Sequence, residues 1–279
     1  MRVEDEIIKD YLAEKPLDAY VDSWLFQGDN PPFSAPAGDP EEREKAAQVL
    51  AQVRAALEDF HPVNQAVWEA LFPQWREKTG KVTVALIAGY PEPYDAMSTK
   101  SPEGIPYIIL DMVRWTQYLG KVELAAAARN LLTHELTHAL ISMDYPEADR
   151  ALEGGYLERL DGIAFHEGFA HLISYQGREI DAVDWKDPAL AEVGEKSQRE
   201  LCRALACQNP AEQKEYLEKA QQGPYYEKFA CMAGMLYLAG RYSRKDGESA
   251  GIPELAAVFQ GGCRSFAQKC ARGARTGQK

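Results

Sequence analysis

The sequence predicts an α+β fold that is mostly helical. Three observations support this prediction: apolar residues recur every three or four positions over much of the chain, two short β-branched runs lie before the middle, and segments rich in Pro and Gly separate these elements. With 279 residues, 46% of them hydrophobic, the chain is long enough to bury a substantial core. We expect a small sheet together with the helices.

The N-terminal portion, residues 1–80, is predicted to be helical. Residues 1–30 have helical character, and residues 28–40 are rich in Pro, Gly and Asp, which favours a loop. Residues 41–58 alternate charged side chains with Ala, Leu and Val at helical spacing. These features predict a helical region that precedes the sheet.

Residues 81–279 are predicted to form a second portion, joined to the first in one integrated domain. Short β-branched runs at 81–90 and 105–112 predict two strands, and the segment between them, rich in Pro and Gly, suits a loop. Residues 123–143 contain helix formers throughout and neither Pro nor a helix-breaking turn signal. This last segment predicts a long, uninterrupted helix.

The rest of the chain is predicted to be helical as well. Helical periodicity recurs over residues 157–175, 181–224 and 225–242. Residues 264–279 contain Arg and Lys but no acidic side chain, and they form a basic C-terminal tail. A solvated terminus accounts for such a tail without any anionic partner.

Composition excludes several classes of function. The chain has 43 acidic and 31 basic residues, a net charge of −12, which argues against nucleic acid as the main partner. No apolar run approaches the roughly 18–20 residues that a membrane span needs.

The acidic N-terminus differs from a secretory signal, so we expect a cytoplasmic protein, or a secreted or periplasmic one if a leader has been removed. The five cysteines form no CxxC pair, which favours free thiols.

The sequence HELTH at 134–138 lies within the predicted long helix. His134 and His138 are one helical turn apart, so both imidazoles can reach one metal ion at Zn–N distances of about 2.0–2.1 Å. Glu135 is rotated about 100° from His134, which places its carboxylate beside the metal. There it can act as general base toward water, whose pKa zinc lowers to about 7. The pattern therefore predicts a catalytic zinc site.

A catalytic zinc site needs a third protein ligand and an open position for water. Glu167, on the second helix of this region, is the favoured third ligand, and Gly168 beside it suggests the close approach of another backbone or of a substrate. Two alternatives are open. Asp144 would suit a site of HExxHxxGxxD form, although Ile141 stands where that form needs Gly, and His166 is the other alternative.

HELTH on one helix, with a Glu from a helix further along, resembles the gluzincin group of zinc metallopeptidases, which includes thermolysin-like enzymes and many bacterial minimal peptidases. The string EGFA that begins at Glu167 is similar to an EG-x-A pattern in several bacterial families of that group. The resemblance implies a zincin-like catalytic core over about residues 80–180, in which a small mixed sheet packs on the HELTH helix. It also implies one zinc ion per chain and Glu135 as general base. It implies that the zinc ligands are His134, His138 and Glu167.

One position departs from the pattern of the group. Gluzincins often have Asp four residues after the Glu ligand, whereas this chain has His171, which we expect to hydrogen-bond behind the ligands or to the substrate. Asp161 could supply the missing carboxylate. For the oxyanion of the reaction, the group often uses Tyr or His from a later segment. Tyr226 is the candidate donor here, with Tyr225 and Tyr156 as alternatives.

The expected function is therefore that of a zinc-dependent peptidase whose substrate is a peptide or protein. The resemblance also implies that a strand of the sheet pairs with an extended substrate. Two alternatives are a zinc-bound protein that binds peptides without cleaving them and a zinc hydrolase that acts on a non-peptide amide. An intact Glu135 argues against the first alternative, because a purely structural zinc site needs no base.

Overall fold

The computed structural model describes residues 1–243 and 251–272. They form an α+β molecule, mostly helical, with one four-stranded sheet, so the predicted fold class is confirmed. The strands are β1 (Arg2–Glu4), β2 (Thr83–Ile87), β3 (Ala96–Lys100) and β4 (Pro106–Asp111). The helices are α1 (Glu6–Leu12), α2 (Pro40–Glu58), α3 (Gln65–Leu71), α4 (Trp75–Thr79), α5 (Leu124–Asp144), α6 (Pro146–Leu152), α7 (Tyr156–Ile173), α8 (Pro188–Ala206), α9 (Pro210–Gln221), α10 (Phe229–Tyr242), α11 (Ile252–Gln260) and α12 (Phe266–Arg272).

The sheet is mixed, with the strand order β1-β2-β4-β3. The first three strands in this order are parallel, while β3 runs antiparallel to β4, with Ala96 opposite Leu110 and Lys100 opposite Pro106. The prediction of a loop between the two central strands is therefore wrong in part, because this segment contains β3. Its Pro and Gly residues lie on both sides of the strand and leave five residues able to pair.

The N-terminal segment also differs from the prediction of a continuous helix. Residues 2–4 extend the sheet instead, with Arg2 opposite Thr83 and Glu4 opposite Ala85. The helix α1 that follows has only seven residues, and the chain then meets Pro16, which cannot continue a helix. Helix α2 agrees with its prediction. It begins at Pro40 and is capped by Asp39, whose side chain accepts a hydrogen bond from the N–H of Glu42 at 2.8 Å.

Contacts within the chain group it into two units. The first comprises Met1–Pro62 and Arg76–Leu136 and contains the whole sheet. The second comprises Val63–Trp75 and Thr137–Lys279. Helix α5 continues through the division and contributes residues to each unit. The sequence-based division at residue 80 stays a prediction.

The first unit is organised around the central strands. Side chains of β2 and β4 form a buried cluster with residues from the N-terminal segment and from the loop after β2. Its members are Ile7, Leu25, Phe26, Ala85, Ile87, Tyr90, Tyr107 and Ile109. At the carboxyl end of β4, the Asp111 carboxylate accepts hydrogen bonds from four backbone N–H groups at 2.7–2.9 Å. The donors are Gly89, Tyr90, Val113 and Arg114. These bonds fix the chain where it leaves β2 and β4.

Helix α5 confirms the long helix predicted over 123–143. The Glu123 carboxylate accepts the N–H groups of Ala125 and Ala126, which would otherwise lack partners at the helix start. Leu132, Leu136 and Leu140 recur at spacing four and are completely buried. Because this stripe faces the interior, the neighbouring face of α5 is left partly exposed.

The second unit is built on the crossing of α7 and α10. A Cβ atom added to Gly168 would lie 2.9 Å from the carbonyl carbon of Gly234, so only glycine allows the two backbones to approach this closely. The close approach predicted from Gly168 is therefore confirmed. Beside the crossing, α7 contributes Phe165 and Phe169 to an aromatic cluster that includes Phe259 of α11.

The C-terminal region is structured as far as the described residues extend. Part of the predicted basic tail at 264–279 forms α12, in which Phe266 and Cys270 are buried. Residues 273–279 of that tail lie outside the described residues. The five cysteines are free thiols, as predicted. None of the helices in the described ranges combines the length and hydropathy needed to cross a bilayer.

Candidate metal centre

The HELTH residues lie on the partly exposed face of α5. His134 and His138 are separated by one turn of an unbroken helix, and both are half-buried. Between them, Leu136 and Thr137 are completely buried and fix the roll of the helix. The two imidazoles therefore share one side of α5, where solvent can also reach.

Helix α7 brings Glu167 to these histidines. The Glu167 Oε1 atom is 3.5 Å from the His138 Nε2 atom, and each side chain is about one-fifth exposed. One ligand atom from each of His134, His138 and Glu167 lies within 4.8 Å of the others. Donors that share a tetrahedral zinc ion at about 2.0–2.1 Å lie roughly 3.3 Å apart. The three residues could therefore hold a metal ion.

Glu135 lies next to His134 but is not in this donor group. Its Oε2 atom accepts a hydrogen bond of 2.6 Å from the hydroxyl of Ser98. Ser98 is an exposed residue of β3, an edge strand of the sheet. Sequence reasoning missed Ser98, because it lies in a segment predicted to be a loop, and only the pairing of β3 with β4 reveals it.

His171 is one turn after Glu167 on α7 and contacts it directly. Its Nδ1 atom is 3.1 Å from the Glu167 Oε2 atom and 3.0 Å from the Glu167 backbone carbonyl oxygen. The His171 side chain is only 4% exposed, so it reaches solvent poorly. Its place suits a residue that orients the Glu167 carboxylate better than one that touches a substrate.

Besides His171, Glu167 has a second neighbour, Cys231 of α10. The sequence analysis did not identify Cys231 as part of the site. Complete burial raises the pKa of its thiol well above the ordinary value, and the negative charge of Glu167 raises the pKa further. Cys231 therefore remains a thiol at neutral pH, and its Sγ donates to the Ala220 carbonyl oxygen at 3.3 Å. No sequence signal marks it, since it belongs to an ordinary apolar helix.

The candidate tyrosines occupy a 3₁₀ turn, Tyr225–Glu227, just before α10. The Tyr226 hydroxyl is 3.0 Å from the Tyr175 hydroxyl and accepts a hydrogen bond from Gln176 at 2.9 Å. The Tyr225 ring instead packs on the His171 ring, with centroids 5.2 Å apart. Tyr156, the third candidate, donates its hydroxyl to the Ala204 carbonyl oxygen at 2.8 Å.

The phenol of Tyr225 has a pKa above its ordinary value. Tyr225 is partly exposed, but desolvation of its hydroxyl raises its pKa, and neighbouring groups that include Glu167 raise the pKa further when they carry negative charge. A protonated phenol is a hydrogen-bond donor at neutral pH. Of the two adjacent tyrosines, Tyr225 is the one whose ring contacts His171, the neighbour of Glu167.

The alternative ligands and partners take other positions. Helix α5 continues through Ile141, which carries Asp144 about 9 Å past His138 along the axis. His166 has its Nε2 atom 3.6 Å from Asp149 Oδ1, and its ring stacks on the His138 ring with centroids 5.8 Å apart.

Asp161, the acid that could have stood in for the missing carboxylate, accepts backbone N–H groups at the start of α12 and so stabilises that helix.

These neighbours define what the site can do chemically. Three possible metal-ligand atoms lie within 4.8 Å of one another, and the neighbouring Glu135 carboxylate accepts a hydrogen bond from the edge strand β3. No protein-family model, curated protein or solved structure matches the chain.

Proposed function

We propose that this chain is a zinc-dependent peptidase of the gluzincin type. The observation that carries the proposal is the donor group of His134, His138 and Glu167, whose ligand atoms lie within 4.8 Å of one another. Glu135 adjoins this group in the HExxH pattern and serves as general base. The substrate is a peptide or protein.

The chemistry of the donor set favours a catalytic over a purely structural zinc site. Three protein ligands leave one coordination position for water or substrate, whereas structural sites are usually closed by four. The ligands His138 and Glu167 are each about one-fifth exposed, so solvent has access. A zinc ion bound here supplies the Lewis acidity that lowers the pKa of water to about 7 and polarises a scissile carbonyl.

Glu135 moves the protons in this proposal. Its Oε2 atom accepts a proton from the attacking water and passes it to the nitrogen of the leaving amine. Ser98 donates to the same oxygen at 2.6 Å and restricts the carboxylate to one orientation. Ser98 is thus a positioning residue, while Glu135 performs the proton transfer.

Two further residues complete the assignment. We assign hydrogen-bond donation to the oxyanion to Tyr225 in preference to Tyr226, because the Tyr226 hydroxyl bonds with Tyr175 and Gln176. His171 orients Glu167 through the contact of 3.1 Å between His171 Nδ1 and Glu167 Oε2. The first assignment replaces Tyr226, the donor that the sequence analysis favours, with its alternative Tyr225, and the second limits the role of His171 to orienting Glu167.

Strand β3 offers a place for the substrate backbone. It is an edge strand, and its Ser98 is hydrogen-bonded to the general base. An extended peptide that adds to such an edge gains main-chain hydrogen bonds and passes close to Glu135. This arrangement favours peptides over small non-peptide amides, which cannot form a ladder of backbone bonds.

Hydrolysis of a peptide library tests the proposal. We expect the zinc-loaded protein to cleave blocked or unblocked peptides, as detected by mass spectrometry, and a chelator to abolish cleavage. The Glu135→Gln variant should keep its zinc and lose at least about 100-fold in kcat. Zinc binding without any peptide cleavage would overturn the proposal in favour of a binding protein, and cleavage of non-peptide amides alone would identify a different hydrolase.

A further inference from the structure

A cavity of about 360 Å³ opens beyond the C-terminal end of α7, apart from the metal ligands. Every residue that lines it belongs to the second unit. Its apolar walls include Tyr175, Val183, Leu190 and Tyr226, and its acidic groups are Asp184 and Asp187. The volume is ample for one long amino-acid side chain.

The cavity is connected to the candidate metal centre by a short series of aromatic contacts. The Tyr226 hydroxyl, on the cavity wall, is 3.0 Å from the Tyr175 hydroxyl. Tyr225 adjoins Tyr226 and packs on His171, which contacts Glu167. The end of α7 at Ile173 is six residues after Glu167, a rise of about 9 Å, and Tyr175 lies in the 3₁₀ turn that follows. An extended peptide covers this distance in three or four residues.

The lining combines apolar surface with negative charge. Asp184 Oδ1 accepts the N–H of Lys186 at 3.0 Å, and Asp187 Oδ1 accepts the N–H of Ala189 at 2.8 Å, so backbone bonds orient both carboxylates. Arg178 is the single cation among the cavity residues, and its guanidinium donates to the Ala182 carbonyl oxygen at 2.6 Å. The charged lining is therefore net negative.

We propose that this cavity is a substrate subsite that binds the side chain of Lys or Arg in a peptide. The aliphatic stem packs on Tyr175, Val183 and Leu190, and the cationic end pairs with Asp184 and Asp187. Tyrosine faces add a cation–π attraction. The role as a subsite rests on the proposed peptidase function, while the binding of a basic side chain can be tested separately.

Peptide binding to the zinc-loaded Glu135→Gln protein provides that test. The probes are fluorescent octapeptides of Ala and Gly in which one Lys is moved through every position, each compared with its acetyl-lysine counterpart. Acetylation keeps the stem and removes the charge. At one position, three or four residues from the scissile bond, we expect Lys to bind about fivefold more tightly than acetyl-lysine in fluorescence anisotropy.

Variants that remove the acidic charges test whether the cavity causes the tighter binding of Lys peptides. In the Asp184→Asn/Asp187→Asn double variant the backbone hydrogen bonds keep an acceptor oxygen, so the fold is retained while the preference for Lys disappears. Glu192→Gln is the matched control, because Glu192 is an exposed acid on α8 outside the cavity lining. This control should keep the fivefold preference.

The possible outcomes separate the subsite from the peptidase. Equal binding of Lys and acetyl-lysine peptides, or a preference that survives in the double variant, overturns the subsite. If the unmodified protein cleaves peptides without regard to Lys, the subsite fails and the peptidase function stands. If Lys peptides bind through Asp184 and Asp187 but zinc-loaded protein cleaves none, the subsite stands as a binding site and the peptidase function fails.

Discussion

Glu167 makes separate contacts through its two carboxylate oxygens. Oε1 is 3.5 Å from His138 Nε2, and Oε2 is 3.1 Å from His171 Nδ1. A carboxylate fixed through one oxygen presents the other in a defined direction, which lowers the entropy lost when a metal binds. At the scale of single residues, the candidate metal centre therefore depends on Glu167 and on His171, which contacts it.

Replacement of Glu167 should remove zinc. We expect Glu167→Ala to weaken zinc binding by at least about 100-fold, because two protein ligands remain where a catalytic site uses three. Zinc per chain, measured by mass spectrometry after dialysis against a zinc buffer, checks this. Glu135→Gln is the control and should retain about one zinc per chain, whereas full occupancy in Glu167→Ala would refute the ligand assignment.

Ser98 should affect turnover and leave metal content unchanged. Its hydroxyl holds Glu135 Oε2 at 2.6 Å, and a hydrogen bond to a charged group at an exposed position contributes modestly. We expect Ser98→Ala to lower kcat about three- to tenfold with zinc content unaltered. Ser98→Thr, which keeps the hydroxyl, should restore most of the activity. An unchanged kcat in Ser98→Ala would exclude the positioning role.

At the scale of elements, the crossing of α7 and α10 determines where Glu167 lies. Gly168 follows Glu167 directly, and the Cα of Gly234 would be 3.0 Å from a Cβ added to it. A Cβ on Gly234 would likewise overlap the carbonyl oxygen of Ala164. Because both glycines lie in helix interiors, where glycine is unfavourable, the close packing has to compensate for the lost helix propensity.

A methyl group at this crossing should destabilise the fold. We expect Gly168→Ala to lower the free energy of unfolding by about 1–3 kcal/mol through overpacking, measured by urea denaturation of the metal-free protein. Gly240→Ala is the matched control on α10, since no atom lies within 4 Å of the added Cβ. That control should gain about 0.5–1 kcal/mol. Similar effects in both variants would contradict the packing explanation.

At the scale of the whole molecule, zinc binding should be linked to folding. His138 and Glu167 belong to separate helices, so their 3.5 Å separation exists only in the folded chain. A ligand that binds the folded state alone stabilises it by about 2.7 kcal/mol at 100 times its Kd. For a chain of this size, that corresponds to a rise in Tm of about 5–10 °C.

Thermal denaturation with increasing zinc measures this linkage. We expect Tm to increase with zinc concentration and to return to its metal-free value after chelation. The Glu167→Ala variant should show little response. A Tm independent of zinc in the unmodified protein would mean that no folded-state site binds the metal, whatever the catalytic role of the residues.

Much of the element pattern can be predicted from local sequence. Helices α2, α5, α7 and α10 and strands β2 and β4 follow from periodicity, which records which face each element buries. Short elements are harder to predict from the sequence, because their few residues carry too little periodic signal. Strand β1 pairs with the distant strand β2, and helix α11 packs on the distant helix α3. Strand β3 and helix α6 contact the next element of the chain, β4 and α7, and these tertiary contacts outweigh a weak local preference.

The sequence by itself determined that His134, Glu135 and His138 share a helix, because helical spacing is a local property of the chain. It also favoured Glu167 as the next ligand. Only the tertiary structure decided that Glu167 meets His138, that Ser98 holds Glu135 and that Tyr225 contacts His171. These pairs are far apart in the chain, and side-chain packing between elements, which local sequence does not encode, brings them together.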